Sequence, residues 1–198
     1  MNEWVLVPFA YLLGNFQPGL LIVRLTHGVD IRNLGSGRTG ATNVLRTAGK
    51  VQALIVLVLD IGKGLVVAIG AKALFDDPAL EAALASSVII GHIFPLSSGF
   101  KGGRGVATGV GAATGLFLPS LPVGLLIFLP VVLCTRYVSL GSITSVLGAM
   151  VSFGVGVIWY GLPLEYAIFS SGCGSLIIIM HRDNIGRLLK GNERKIGR

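Results

Sequence analysis

Four stretches hold the residues whose types and spacing could act on an anion. The first is Gly35-Ser36-Gly37-Arg38-Thr39-Gly40-Ala41-Thr42-Asn43, followed by Arg46. Gly37 and Gly40 free the backbone for close approach, and consecutive backbone amides can form an anion nest. Ser36, Thr42 and Asn43 add hydrogen-bond donors, and Arg46 adds a cation. The order nearly matches the phosphate loop G-x-x-x-x-G-K-[ST], but Ala41 stands where the lysine belongs and no β-strand pattern precedes it. A P-loop nucleotide hydrolase is therefore rejected. A phosphate-binding loop and a flexible, solvated turn both stay open on these residues alone.

The second stretch is Gly91-His92-Ile93-Phe94-Pro95, then Phe100-Lys101-Gly102-Gly103-Arg104-Gly105-Val106-Ala107-Thr108. Lys101 and Arg104 flank two glycines in a turn that opens an apolar helix. Amides at the positive end of that helix, with two cations, suit an anion. A basic stop-transfer cluster is the competing reading, but it has no need of Gly-Gly-x-Gly.

The third stretch, Arg136-Tyr137-Val138-Ser139-Leu140-Gly141-Ser142-Ile143, offers two hydroxyls. Ser139 and Ser142 either donate to an anion or cap the following helix. The fourth is His181-Arg182-Asp183-Asn184-Ile185-Gly186-Arg187-Leu188, then Gly191-Asn192-Glu193. Here His181, Asn184 and Leu188 share one helical face. The segment reads as a basic amphipathic tail on anionic lipid, and such a tail can also hold a His and an Asn over a site.

The elements that must position these stretches are set by composition. The 198 residues are 53% hydrophobic and 13% charged, against about 25% charged in soluble domains. So few charges cannot cover a water-facing surface. The fold class expected is an all-α polytopic membrane protein, one integral domain over 1–198. Seven apolar segments fall at roughly 4–24, 51–73, 80–97, 105–119, 121–135, 141–160 and 164–180. The fourth is the weakest, a short tilted or partly re-entrant helix. No basic n-region precedes the first, so it is expected to remain as a span.

Charge gives the orientation. Arg32, Arg38, Arg46 and Lys50 lie in one connection, Lys101 and Arg104 in another, Arg136 in a third, and six Lys or Arg in the tail. The alternate connections carry Glu3, Asp76, Asp77, Glu81 and Glu165, with Lys72 nearby. This asymmetry puts the N-terminus outside and the C-terminus in the cytoplasm, consistent with about seven transmembrane helices. All four polar stretches and His27, His92 and His181 then sit at the cytoplasmic face. The net charge of +7 is read as this bias, with no nucleic acid partner.

Within the second segment, Asp60 and Lys63 fall on one face. An ionisable pair at membrane depth faces a bundle interior; it either orients helices or serves the site. Gly105, Gly109, Gly111 and Gly115 form two small-xxx-small pairs that suit close helix packing. No metal-ligand spacing, hydrolase triad or His-x-x-x-x-Asp pair occurs. Neither metal nor cofactor is expected, and Cys134 and Cys173 lie in apolar runs.

Taken together and in order, the four stretches resemble the signature motifs of the bacterial acyl-phosphate:glycerol-3-phosphate acyltransferases, the PlsY family. Ser36–Asn43 is similar to its Ser-Gly-x-x-Gly-Ala-Thr-Asn motif. Gly91–Thr108 is similar to Gly-His-x-x-Pro followed by Phe-Lys-Gly-Gly-Lys-Gly-Val-Ala-Thr. Arg136–Ile143 and His181–Leu188 match the other two. Arg38 stands where many members have Asn, and Arg104 where many have Lys, which changes donor geometry.

The resemblance implies transfer of a fatty acyl group from a long-chain acyl phosphate to the 1-hydroxyl of glycerol 3-phosphate, giving lysophosphatidic acid and phosphate. It implies a multi-pass protein of the bacterial inner membrane with membrane lipid around it and no obligate protein partner. The roles expected are these. Ser36, Arg46, Lys101 and Arg104 bind glycerol-phosphate oxygens. Thr42, Asn43, Ser139, Ser142 and the Gly102 and Gly103 amides hold the acyl-phosphate head and its oxyanion. His181 and Asn184 position the glycerol hydroxyls. Gly37, Gly40, His92 and Thr108 complete the substrate-binding set. The proton acceptor is His181 or a substrate phosphate, the latter favoured. The alternatives are a membrane transporter of a phosphorylated anion, which needs a polar path to the outer face, and a non-catalytic lipid-binding or assembly protein.

Overall fold

A computed structural model of the chain describes residues 2–197. Among the described residues every regular element is helical. The elements divide into two compact units, residues 2–116 and 117–197.

The first unit begins with a single turn, Glu3–Val5, and helix α1, Leu6–Gly14. Pro18 interrupts the segment and restarts it as α2, Pro18–His27, which ends at Gly28 with φ +67°. After the short turn Ile31–Asn33 come α3, Ala41–Thr47, and α4, Lys50–Leu74. Helix α5, Pro78–Ile93, is started by Asp77, whose carboxylate accepts from the Ala79 and Leu80 amides. Helix α6 is Val106–Leu116.

Glycines let these helices touch backbone to backbone. A Cβ at Gly64 of α4 would overlap the Thr108 carbonyl of α6, and one at Gly111 would overlap the Ile61 carbonyl of α4. Gly115 lies against Ala68 on the same seam. Gly14 and Gly91 face each other in the same way between α1 and α5. Lys72 donates to the Leu116 carbonyl and closes the end of α6 (3.0 Å). The expected packing role of the α6 glycines thus holds for Gly111 and Gly115.

The second unit holds α7, Ser120–Thr135, α8, Val138–Tyr160, α9, Leu164–Ile179, and α10, Arg182–Leu189. Phe153 is its buried centre, edge-on to Phe117 (5.3 Å) and Phe169 (6.1 Å). Gly141 and Gly148 of α8 receive side chains of α7, and Gly174 of α9 receives Met150 of α8.

All seven apolar segments are helical. Three single helices, α4, α5 extended to Ser98, and α8, are long and apolar enough to cross a bilayer, and so is the interrupted run Glu3–His27. Helices α9 and α10, bent by 57°, make a fifth when taken as one. Helices α6 and α7 are apolar but shorter. Leu25, Leu74, Leu126, Leu133, Ile158 and Trp159 are exposed, as lipid-facing residues are. The protein is an all-helical, polytopic membrane protein.

Candidate active site

In the first unit, the loop before α3 is organised by Asn43. Its Oδ1 accepts from the Ser36 amide (2.9 Å), and its Nδ2 donates to the Leu34 (3.1 Å) and Arg38 (2.8 Å) carbonyls. Gly37, at φ +69°, turns the chain so that its amide donates to Leu34. Asn43 is buried and its amide serves the loop. The Ser36 and Gly37 amides are likewise engaged within it. The loop instead offers partly exposed Ser36, Arg38 and Thr42, with Arg46 exposed on α3 and Gly40 at its start.

The loop is tied to the turn after α5. Arg32 pairs with Asp30 (2.6 Å) and donates to the Ser98 carbonyl (3.0 Å). The Arg32 guanidinium holds the Asp30 carboxyl below its ordinary range. Asn15 adds a second tie, accepting from the Leu96 amide while its own carbonyl accepts from Ser97 Oγ.

The Lys101–Arg104 turn rests on His92. Gly103 donates its amide to the His92 carbonyl and Gly102 to the Ile93 carbonyl, each at 3.2 Å. A Cβ on Gly103 would overlap the His92 ring, and one on Gly102 would overlap the His92 carbonyl. Both amides, expected as oxyanion donors, are used here in seating the turn. Lys101 is exposed, Arg104 is half-buried, and Thr108 is fully buried in the first turn of α6.

Beneath the turn lies a polar cluster. Lys63 Nζ is 3.0 Å from Asp60, donates to the Phe16 carbonyl (2.8 Å) and lies 2.8 Å from His92 Nδ1, which is itself 3.3 Å from Asp60 Oδ1. Gln17 donates to the His92 carbonyl (3.2 Å) and accepts from Thr39 Oγ1 (2.6 Å). His92, expected as a substrate contact, is buried among protein groups.

In the second unit, Glu193 is the centre that sequence reasoning left out of the site. Its Oε1 accepts from Ser139 (2.9 Å) and Asn184 (2.7 Å), and its Oε2 from Arg187 (2.7 Å). Burial alone would raise its carboxyl, but hydrogen bonds from Asn184, Arg187 and Ser139 outweigh this and hold it below the ordinary range. Ser139 and Ser142, expected as donors to the acyl-phosphate head, donate here to Glu193 and to the Val138 carbonyl (2.9 Å). His181 Nδ1 faces the Ile177 carbonyl (2.8 Å), which fixes the orientation of the ring. Both His181 and Asn184 are buried, as their shared face required.

Gln17 and Thr39 were also missed as partners of the site. The signal for Gln17 was its place with Asn15 and Pro18 in the break of an apolar segment. Among the described residues no group of three His, Cys, Asp or Glu side chains could hold a metal ion.

Comparison with known proteins gives one answer. The family model for glycerol-3-phosphate acyltransferase matches residues 4–191. A glycerol-3-phosphate acyltransferase of Desulforamulus reducens is 44% identical over 188 residues, 95% of this chain and 92% of that protein. One of Aquifex aeolicus is 40% identical, covering 98% of this chain and all of that protein. Among solved structures, the glycerol 3-phosphate form of PlsY, an integral membrane glycerol 3-phosphate acyltransferase, matches 98% of this chain and 94% of that one. It does so with TM-score 0.90 and 40% identity. The lysophosphatidic acid form matches with TM-score 0.87 and 39% identity. Fold, motif order and full-length identity agree, and the chain belongs to the glycerol-3-phosphate acyltransferase family.

Proposed function

We propose that this protein acylates the 1-hydroxyl of sn-glycerol 3-phosphate with a long-chain acyl phosphate as donor, releasing lysophosphatidic acid and inorganic phosphate. The observation that carries the reading is the near-complete likeness to an acyltransferase in its glycerol 3-phosphate form, with the cationic glycine turn at Lys101–Arg104 intact. The family match across residues 4–191 supports treating the chain as one acyltransferase domain.

In this reading Ser36, Arg46, Lys101 and Arg104 bind the phosphate of the acceptor. Their charges and hydroxyl suit a small dianion. Thr42 and Thr108 add further hydroxyls to the proposed binding set. His181 and Asn184 orient the glycerol hydroxyls, which donate to the His181 Nε2 and Asn184 Oδ1 acceptors. The 1-hydroxyl oxygen attacks the acyl carbonyl carbon. The tetrahedral centre collapses with cleavage of the bond to the phosphate oxygen, and phosphate leaves. The hydroxyl proton goes to a substrate phosphate oxygen. An acyl phosphate is already an activated anhydride, so positioning supplies much of the remaining rate.

The lysine and arginine bias of the connections supports seven crossings with the N-terminus outside and the site at the cytoplasmic face of a bacterial inner membrane. A phosphorylated anion reaches such a site from the cytoplasm and an acyl chain from the lipid. The transporter alternative is not favoured by the comparisons.

The test is product analysis with purified protein in lipid. Palmitoyl phosphate and sn-glycerol 3-phosphate yield 1-palmitoyl lysophosphatidate, and palmitoyl-CoA in its place yields none. Product from the CoA thioester at an equal rate would overturn the donor assignment.

A further inference from the structure

The buried cluster under the Lys101–Arg104 turn does more than neutralise itself. Asp60, Lys63, His92, Gln17 and Thr39 are all at most 7% exposed. They come from α4, α5, the break between α1 and α2, and the loop before α3. A set of this kind at membrane depth is costly unless every member is satisfied.

Lys63 supplies the ordering. Pro18 has no amide proton, so the Gly14 carbonyl lacks its helical partner, and Lys63 (3.3 Å) and Gln17 (3.3 Å) donate to it instead. The same ammonium reaches Asp60, the Phe16 carbonyl and His92 Nδ1. His92 Nδ1 faces both members of the pair, Lys63 Nζ at 2.8 Å and Asp60 Oδ1 at 3.3 Å. The Nε2 edge of the ring lies against Gly103. The His92 carbonyl, meanwhile, takes the Gly103 amide and Gln17 Nε2. His92 is held from below by the pair and from above by the turn.

We propose that Asp60 and Lys63 are positioning residues for acceptor binding. Through His92 they fix the height and orientation of the Gly102–Gly103 backbone, and with it the cations Lys101 and Arg104 that take the acceptor's phosphate. The inference rests on the assignment of that turn to glycerol 3-phosphate.

The test uses full-length protein in lipid and the double variant Asp60→Asn/Lys63→Gln, which removes both charges and so leaves no unpaired buried ion. The KM for glycerol 3-phosphate is expected to rise about tenfold or more, with the KM for acyl phosphate within twofold of wild type. A folded double variant with an unchanged acceptor KM would overturn the proposal, and so would an equal rise in both KM values, which marks a merely structural role. Wild-type protein that fails to acylate glycerol 3-phosphate at all would instead overturn the underlying assignment.

A measurement on wild type stands independently of how the variant folds. The ¹⁵N shifts of His92, assigned with a His92→Gln sample, are expected to move on addition of glycerol 3-phosphate. No response to the ligand would contradict the proposal.

Discussion

Asn184 and Glu193 are joined by one hydrogen bond, Nδ2 to Oε1 at 2.7 Å, and that bond turns the Asn184 carbonyl oxygen away from the protein's own donors. The oxygen is buried with no protein donor reaching it among the described residues. A buried acceptor left open in this way suits a ligand hydroxyl. Asn184→Asp keeps the shape but loses the donor and puts a second carboxylate beside Glu193. Turnover is expected to fall at least tenfold in a steady-state assay, while Asn184→Ser keeps more activity than Asn184→Asp.

Glu193 also sets an acid limit. Its carboxyl is held below the ordinary range in the folded protein. Its contribution to stability is therefore fully present above the unfolded value of about 4.3. It is lost as pH falls through the depressed native value. Glu193→Gln should flatten the fall of the melting midpoint between pH 5 and pH 3. At neutral pH it should cost about 1–3 kcal/mol, from weakened bonds to Asn184, Arg187 and Ser139. An unchanged acid limb in the variant would contradict this.

Asn43 makes the analogous case in the first unit. Asn43→Ala leaves the Ser36 amide and the Arg38 carbonyl without this partner and takes one of two donors from the Leu34 carbonyl. The loss is expected to be about 2 kcal/mol of stability and more than tenfold in activity, read by thermal unfolding and initial rates.

Much of this was legible in the sequence. The length of the apolar runs gave the long helices, because a bilayer leaves the backbone no other way to satisfy itself, whereas α3, Ala41–Thr47, fell in a stretch that reads as a loop. The four polar stretches were visible because lysine, arginine, histidine and asparagine are rare in such a chain. What was not legible is which partner each polar group takes. Nothing in the spacing shows that Asn43 bonds to carbonyls across its loop, or that the Gly102 and Gly103 amides bond to carbonyls at the end of α5. Glu193 lay in a tail that reads as solvated, and its bonds to Ser139 cross 54 residues of chain. The Asp60–Lys63 pair was seen, but its coupling to His92 depends on the rotation of α4 against α5, which spacing alone does not determine.

The α4–α6 seam supplies a packing prediction with an internal control. Gly64→Val meets the backbone of Thr108 and Ala112, which cannot yield as a side chain can. A loss of at least about 1–3 kcal/mol is expected, with reduced activity because α6 carries Thr108 and follows Arg104. A Cβ at Gly70 of the same helix meets nothing within 4 Å. Gly70→Ala is expected to be neutral or slightly stabilising, by up to about 1 kcal/mol.

His181 separates the two proton acceptors. General-base catalysis by a side chain contributes about 10²–10⁴ in rate. If a substrate phosphate takes the proton, His181→Ala should lower kcat less than about 100-fold and leave the pH profile without a new limb. A loss near 10⁴-fold in protein that still binds glycerol 3-phosphate would make His181 the base.

The most direct measurement is phosphate release from palmitoyl phosphate by the purified protein in lipid, with and without sn-glycerol 3-phosphate. The account predicts release that depends on the acceptor and matches lysophosphatidate formed one for one. Equal release without the acceptor, or none with it present, would contradict acyl transfer from acyl phosphate.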